Sequence, residues 1–228
     1  SDCGCVAADN SGDDCDDCAG IPNGDTVIDE CGVCGGDDTS CLASLSLGSF
    51  DSSGSLEILY DFGSDVAGFQ FDVSGLALAG GSGGAAGDAG FDVQTGGGTV
   101  LGFSFAGSTI SAGSGVLTVL SFTDVTAGTT ELSLGNFGAV TSSDGSEFDA
   151  TASGSIDHGD TDCSGDYYGD AVIDDCGVCD GFNVDQDDCG VCNGGNADQD
   201  CAGVCFGDSW ESDCGCVAAD NSGDDCDD

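Results

Sequence analysis

Cysteine is confined to the two ends of this 228-residue chain, and this division constrains the fold more than any other feature. All 17 cysteines lie in residues 1–41 and 157–228, together with 32 of the 44 acidic residues. Residues 42–156 contain no cysteine and 12 acidic residues. Because composition changes abruptly at both junctions, the sequence predicts a globular domain at 42–156 between two Cys/Asp-rich segments, 1–41 and 157–228.

The end segments contain a perfect repeat. Residues 1–17 and 212–228 both read SDCGCVAADNSGDDCDD, at an offset of 211. A fixed-period match predicts a tandem array, with one protein carrying duplicated end segments as the alternative. One period contains 14 cysteines once the three repeated ones are counted once, and a closed disulfide framework requires such an even number.

The charge of the chain limits its partners. It has no Lys or Arg, one His and a formal net charge of −44, so nucleic acids and anionic membranes are excluded as partners. The carboxylates repel one another, and bound divalent cations or high salt would reduce that repulsion. The high cysteine density predicts disulfides and an extracellular or cell-surface location. No stretch of the sequence is apolar enough to span a membrane.

The cysteines follow a repeated pattern. DCAGIPNGDTVIDECGVC at 17–34 aligns with DCSGDYYGDAVIDDCGVC at 162–179, and shorter variants follow at 183–192 and 196–205. Each repeat is too short and too poor in apolar residues to bury a core. Cross-links and ions must therefore hold the segments, with short strands expected only at TVID and AVID.

Spacing alone does not determine which cysteines pair. The simplest hypothesis pairs neighbours: Cys5–Cys15, Cys18–Cys31, Cys34–Cys41, Cys163–Cys176, Cys179–Cys189, Cys192–Cys201, Cys205–Cys214 and Cys216–Cys226. Cys3 would then pair with a preceding copy. The alternative is a zinc site on the two Cys-x2-Cys pairs at 176–179 and 189–192, which the oxidising setting and the lack of basic residues oppose.

The same segments predict several bound calcium ions. Calcium takes six to eight oxygen ligands, and alternating Asp/Asn residues place carboxylate and amide oxygens on one side of an extended backbone. The predicted ligands are Asp17, Asp25, Asp29, Asp162, Asp170, Asp174, Asn183, Asp185, Asp187, Asn196, Asp198 and Asp200. The alternative for any one of them is a solvated surface carboxylate.

The central domain has the two-residue periodicity of β-strands. Strands are predicted at 43–50, 55–62, 66–74, 99–106, 115–123, 130–140 and 147–155, and a Gly-rich loop at 79–90. No helical periodicity is visible. Many short strands predict an all-β two-sheet sandwich. Its core is expected to use Phe50, Phe62, Phe69, Phe71, Phe91, Phe103, Phe105, Phe122 and Phe137.

The phrases VAGFQFDVSG, TVLGFSFAGSTISAGSGVLTVLSFT and ELSLGNFGAVTSSDGSEFDATASGS resemble a cohesin-type module. This resemblance implies a jelly-roll β-sandwich of secreted bacterial proteins that docks a partner domain across a sheet face. The flanking segments resemble thrombospondin type 3-like calcium repeats and the DCGVCGG-type repeats of large surface proteins. That resemblance implies irregular, disulfide-rich, calcium-binding flanks.

No constellation of residues predicts an enzyme. The only histidine, His158, lies at a domain junction and is interpreted as a solvated linker residue or an occasional metal ligand. Without Lys or Arg there is no clamp for phosphate or for transition-state charge. The sequence favours a structural extracellular protein, in which copies of itself form a calcium- and disulfide-stabilised filament, stalk or adhesin shaft. The alternative is a cohesin-like binding module that docks a partner domain.

Overall fold

The computed structural model describes residues 16–21, 24–213 and 215–220. The chain divides into two compact units, Ser1–Gly159 and Asp160–Asp228. The first unit contains a Cys/Asp-rich segment that we call the N-terminal connector, residues 1–41, followed by a β-sandwich, residues 42–159. The second unit, residues 160–228, is a longer segment of the same kind that we call the second connector. Within the described ranges, no helix has the length and hydropathy to cross a membrane.

The sandwich has eleven strands and one helical turn. In chain order they are β1 Leu42–Asp51, β2 Ser55–Phe62, β3 Val66–Ser74, β4 Leu76–Ser82, α1 Gly84–Asp88, β5 Asp92–Gly96, β6 Thr99–Phe103, β7 Gly113–Val125, β8 Thr129–Ser133, β9 Ala139–Ser142, β10 Asp149–Ser153 and β11 Ser155–Asp157. The first sheet has the order β10-β1-β2-β7-β4, with β10 parallel to β1. The second has the order β11-β8-β3-β6-β5, and β9 also pairs with β3. The predicted all-β sandwich is therefore confirmed.

The core lies between the two sheets. Alternating residues of β2 and β3 point inward, and Leu56, Ile58, Phe69 and Phe71 are each at most 2% exposed. Gly102 of β6 faces the Phe69 ring, and a Cβ atom there would lie 2.0 Å from the ring. Because Gly102 has no side chain, the Phe69 ring can pack directly against the β6 backbone.

Several local predictions were wrong. The segment predicted as a Gly-rich loop contains the end of β4 and α1, while β5 was not foreseen. The strand predicted at 130–140 is two strands, β8 and β9. Phe105 and Phe137 are 87% and 85% exposed, outside the core, because β6 ends at Phe103 and Phe137 lies in the β8–β9 loop. Phe103 is half-buried and also lies outside the core, because Val100 and Gly102 are the inward positions of β6.

His158 belongs to the sandwich, and its interpretation as a solvated residue was wrong. The pairing of β11 with β8 carries the chain back across the sheet, so His158 is 6% exposed. Its Nε2 lies 2.7 Å from the Thr130 hydroxyl, and its ring centroid lies 5.0 Å from that of Phe50. Burial lowers the pKa of His158 from its usual 6.5, which the nearby Asp157 charge partly offsets.

The connectors contain little regular structure. TVID and AVID contribute only single antiparallel bridges, Ile28 to Cys34 and Ile173 to Cys179, in place of the predicted strands. Equivalent bridges join Gln186 to Cys192 and Gln199 to Cys205. The second unit ends in a two-strand ribbon, β12 Trp210–Ser212 with β13 Gly215–Val217.

Candidate functional site

In six connector repeats of the described residues, an aspartate opens the repeat and its carboxylate holds a turn. At Asp187, Oδ1 accepts the backbone N–H groups of Cys189 (2.9 Å) and Val191 (3.0 Å). Its Oδ2 accepts the N–H of Asn196 at 2.8 Å. One side chain thereby satisfies three backbone donors that have no helix or sheet partner.

The same arrangement, with Oδ1 accepting from residue i+4 and Oδ2 from residue i+9, recurs in five further repeats. These open at Asp17, Asp29, Asp162, Asp174 and Asp200. The N–H groups stabilise the ionised carboxylate, and the i+4 donor contributes most. They lower the pKa from the ordinary 3.8 at Asp17, Asp162, Asp174, Asp187 and Asp200.

A glycine seven residues after each of these aspartates leaves room for the carboxylate. At Gly194, a Cβ atom would lie 2.3 Å from Asp187 Oδ2. The other five glycines would clash in the same way, at 2.0–2.4 Å: Gly24, Gly36, Gly169, Gly181 and Gly207. The spacing Asp-x6-Gly is visible in the sequence and is the signal that could have identified these turns.

Consecutive repeats are joined by disulfides that we call staples. In the second unit they are Cys163–Cys179, Cys176–Cys192, Cys189–Cys205 and Cys201–Cys216. In the first they are Cys18–Cys34 and Cys31–Cys41. In every one of these staples except Cys31–Cys41, the first cysteine of one repeat joins the second cysteine of the next.

The neighbour pairing was therefore wrong. It assumed that sequence proximity decides pairing, whereas the Asp turn folds each repeat back on itself and places position i beside position i+16. Cα atoms of the paired cysteines lie 5.1–5.6 Å apart, ordinary disulfide geometry. All four cysteines of the alternative zinc site are disulfide-bonded, which excludes that site. Cys3, Cys5, Cys15, Cys214 and Cys226 lie outside the described residues.

The predicted calcium ligands fall into two groups. The six turn aspartates direct their carboxylates at backbone N–H groups, and Asn183 and Asn196 direct Oδ1 at the N–H groups of Asp175 and Asp188. Asp25, Asp170, Asp185 and Asp198 are exposed. No three His, Cys, Asp or Glu side chains of the described chain are grouped so as to hold a metal ion. Because the turn carboxylates accept backbone N–H groups, their arrangement does not by itself indicate a cation site, and calcium stays a prediction here.

A second candidate site lies on the outer face of the second sheet. A row of paired residues crosses four strands, Gln94 to Leu101 to Gln70 to Ala139. Because side chains alternate along a strand, these residues point away from the core that Val100 and Phe71 occupy. The next row places Phe103 between Asp92 and Gly68.

Two aromatic residues extend this face. Phe105 packs edge-on against Phe103, with ring centroids 4.8 Å apart, and stays 87% exposed. Phe137 is 85% exposed, and its carbonyl accepts the Gln70 side-chain amide at 3.0 Å. We call Leu101, Phe103, Phe105, Phe137 and Ala139 the apolar face.

The opposite surface of the sandwich has different chemistry. The outward residues of the first sheet include Ser44, Ser46 and Asp61, all exposed. In the two rows of paired residues that contain Leu101 and Phe103, the single carboxylate is Asp92. It accepts a hydrogen bond from the Gln94 side-chain amide at 2.5 Å. In a chain with 44 acidic residues, this surface is depleted of charge.

No protein-family model matches the sequence, and no curated protein matches it. Over about half its length the chain is similar to solved cohesin structures. The non-cellulosomal cohesin of the archaeon Archaeoglobus fulgidus shares 16% identity over 50% of this chain and 89% of its own, with a TM-score of 0.38. A cohesin in the Coh-OlpA–Doc918 cohesin–dockerin complex from Clostridium thermocellum shares 14%, over 51% and 98%, with a TM-score of 0.39.

The sixth cohesin of scaffoldin B from Acetivibrio cellulolyticus, solved in complex with a Cel5 dockerin, shares 18% identity over 50% of this chain and 97% of its own. Its TM-score is 0.38.

Proposed function

We propose that the sandwich is a docking module of a secreted protein and binds a partner protein domain through the apolar face. The observation that carries the proposal is the pair of aromatic side chains, Phe105 and Phe137, left 87% and 85% exposed beside Leu101 and Phe103. Exposed apolar patches of this kind mark interaction sites, and aromatic residues dominate binding energy at interfaces.

Charge selects the kind of partner. The chain has no Lys or Arg, so a second copy would bring only carboxylates to the rim of the apolar face. A partner domain with basic residues around an apolar centre would meet no such repulsion. Asp72 and Asp92, at either end of the face, would pair with these residues.

The test is a displayed library of protein fragments from the source genome, selected against the oxidised full chain. Recovered domains should bind at least about 30-fold more weakly to the Phe105→Ser/Phe137→Ser variant, as interface hot spots do. Phe206→Ser, which changes an aromatic residue of the second connector that is 70% exposed, is the matched control and should bind as the parent does. Equal binding by the double variant, or recovery of no domain, contradicts the proposal.

A second function, that of a structural repeat in a longer extracellular array, is supported by the perfect match of residues 1–17 with 212–228. The connectors would then be spacers between successive sandwiches, with copies of the chain as partners. Cross-linked segments of this composition suit an oxidising extracellular setting. Electron microscopy of the native material tests this function, since an array predicts a repeating density for each period and a monomer contradicts it.

Calcium binding belongs to this second proposal. The exposed carboxylates of Asp25, Asp170, Asp185 and Asp198 are the ligands left to it, since the turn aspartates face backbone N–H groups. Isothermal titration of the oxidised chain with calcium tests it. Heat that saturates at a defined stoichiometry supports bound ions, and heat that vanishes in about 150 mM salt indicates only screening of charge.

A further inference from the structure

The staples of the second connector are interlaced, which means that each staple begins before the preceding one has closed along the sequence. The two cysteines of each CGVC sequence belong to different staples, because Cys176 pairs forward with Cys192 and Cys179 pairs backward with Cys163. Three peptide steps therefore connect one staple to the next. The same holds at 189–192, and four steps connect Cys201 to Cys205.

A short covalent path follows through the second connector. It crosses each staple in turn and returns along the backbone between staples, through 179–176, 192–189 and 205–201. With about 3.5 Å for each extended residue, and Cα–Cα distances of 5.2–5.6 Å across the staples, this path reaches about 55 Å. The backbone from Cys163 to Cys216 without staples would reach about 185 Å.

We propose that the connector is a fault-tolerant tether, whose maximum length under tension is set by the staples and hardly changes when one interior staple is lost. If Cys189–Cys205 is missing, the path runs directly from Cys192 to Cys201 and stays at about 60 Å. If Cys176–Cys192 is missing, it runs from Cys179 to Cys189 and grows by less than about 10 Å. The chain offers a detour around each interior staple.

An end staple has no such detour. Without Cys163–Cys179, the path must follow the backbone from Cys163 to Cys176, and it lengthens by about 30 Å. Non-interlaced neighbour pairs would lack detours everywhere. Under that pairing, removing Cys189 and Cys205 would break two bonds and lengthen the connector by about 55 Å. Redundancy is thus a property of the interlaced pairing and not of disulfide number.

The N-terminal connector has the same construction on a smaller scale. Its path crosses from Cys18 to Cys34, returns three steps to Cys31 and crosses to Cys41, the residue before β1. It reaches about 20 Å, where the free backbone would reach about 80 Å. A pulling force on this connector is therefore delivered through disulfides to the first strand of the sandwich.

Single-molecule extension of the oxidised full chain, held by cysteine-free handles at its two ends, tests the tether. The fully unfolded contour length of Cys189→Ser/Cys205→Ser and of Cys176→Ser/Cys192→Ser should exceed that of the parent by less than about 1 nm. Cys163→Ser/Cys179→Ser, the matched control that removes an end staple, should exceed it by about 3 nm. Partial-reduction mass mapping of each variant checks that the other staples persist.

Two results would overturn the proposal. One is an interior variant that lengthens by several nanometres, as non-interlaced pairing requires. The other is mass mapping that finds the remaining cysteines paired differently. Using two interior variants keeps the test decisive if one of them fails to fold. Because the sandwich has no cysteine and unfolds equally in every variant, its contribution cancels from the differences.

Discussion

The sandwich and the connectors solve the folding problem by opposite means. The sandwich contains no cysteine and buries residues such as Ile58 and Phe71 completely. In the connectors, apolar side chains such as Val172 and Phe206 are 67% and 70% exposed, and stability must come from staples and from carboxylates that hold turns. One chain thus joins two structures that respond to different perturbations.

Reduction should separate the two structures most strongly. Staples restrict the unfolded chain, and each contributes on the order of 2–4 kcal/mol, so connectors that lack a core should unfold when all are reduced. The sandwich should keep its structure. Hydrogen exchange in the presence and absence of reductant measures both, with amides of β3 as the internal control. Loss of protection in β3, or its retention at Val178 and Val191, would contradict the claim that only the connectors depend on disulfides.

Truncating the core should produce the converse effect. Phe69→Ala removes a ring that is 2% exposed and stacks with Phe71 at 5.8 Å, so the sandwich should lose about 3–5 kcal/mol of unfolding free energy. Denaturant titration followed by far-ultraviolet circular dichroism reports it, because the sandwich contains eleven of the thirteen strands in the described residues. Phe137→Ala, in the exposed loop, should change stability by less than about 0.5 kcal/mol. An equal loss in both variants would show that Phe137 packs in the core.

Changing one turn carboxylate should have a local effect. Asp187→Asn keeps the Oδ1 acceptor but places an amide NH2 at the position of Oδ2. The NH2 group cannot accept the hydrogen bond that the Asn196 N–H donates. Amide exchange at Asn196 should accelerate roughly tenfold, the effect expected from one lost charge-assisted hydrogen bond. Asp185→Asn, at an exposed neighbour, should leave the rate unchanged. Equal exchange rates in both variants would show that the Asp187 carboxylate does not stabilise the turn.

Acid should affect the two structures at different pH values. Burial lowers the native pKa of His158 from 6.5, so its contribution to sandwich stability is complete above 6.5 and is lost as pH falls through the native value. Backbone N–H donors lower the pKa of five turn carboxylates below 3.8, at Asp17, Asp162, Asp174, Asp187 and Asp200. The contribution of the carboxylates is complete above 3.8 and is lost only below it. As pH falls, the sandwich should therefore lose stability before the connectors do. Connectors that unfold first would contradict this order.

Chelation should have the smallest effect on the described connectors. Staples and backbone hydrogen bonds account for their turns, so EDTA should shift the melting temperature of the oxidised chain by less than reduction does. Differential scanning calorimetry in EDTA and in calcium measures the shift. A larger shift in EDTA than in reductant would restore calcium as the principal stabiliser of the connectors.

Much of the fold was predictable because its signals are local. Alternation in VAGFQFDVS fixed β3 and its buried face, and the absence of cysteine from 42–156 marked the sandwich. β4 and β5 were missed because LALAGGS and DVQTG have few of the bulky residues that mark strands, and their pairing with β7 and β6 decides them. Propensity is weak where long-range pairing determines a strand.

The connectors were harder to predict because their order comes from side chain to backbone contacts. The aspartates were visible, but a pattern of carboxylates resembles metal ligation as much as turn formation. The glycine seven residues after each aspartate indicates turn formation, because it leaves space for the carboxylate, as Gly194 does for Asp187 Oδ2. The staple register follows from that turn, and cysteine spacing by itself leaves it open.

The pairing of Cys189 is the most direct test of this account. Trypsin has no site in this chain, and only Gly190 and Val191 separate Cys189 from Cys192. The measurement must therefore cleave or fragment between the two cysteines, by partial reduction and cyanylation or by electron-transfer fragmentation. The structure predicts Cys189 linked to Cys205 and Cys192 linked to Cys176. Cys189 linked to Cys179, with Cys192 linked to Cys201, would contradict the interlaced staples and the tether that depends on them.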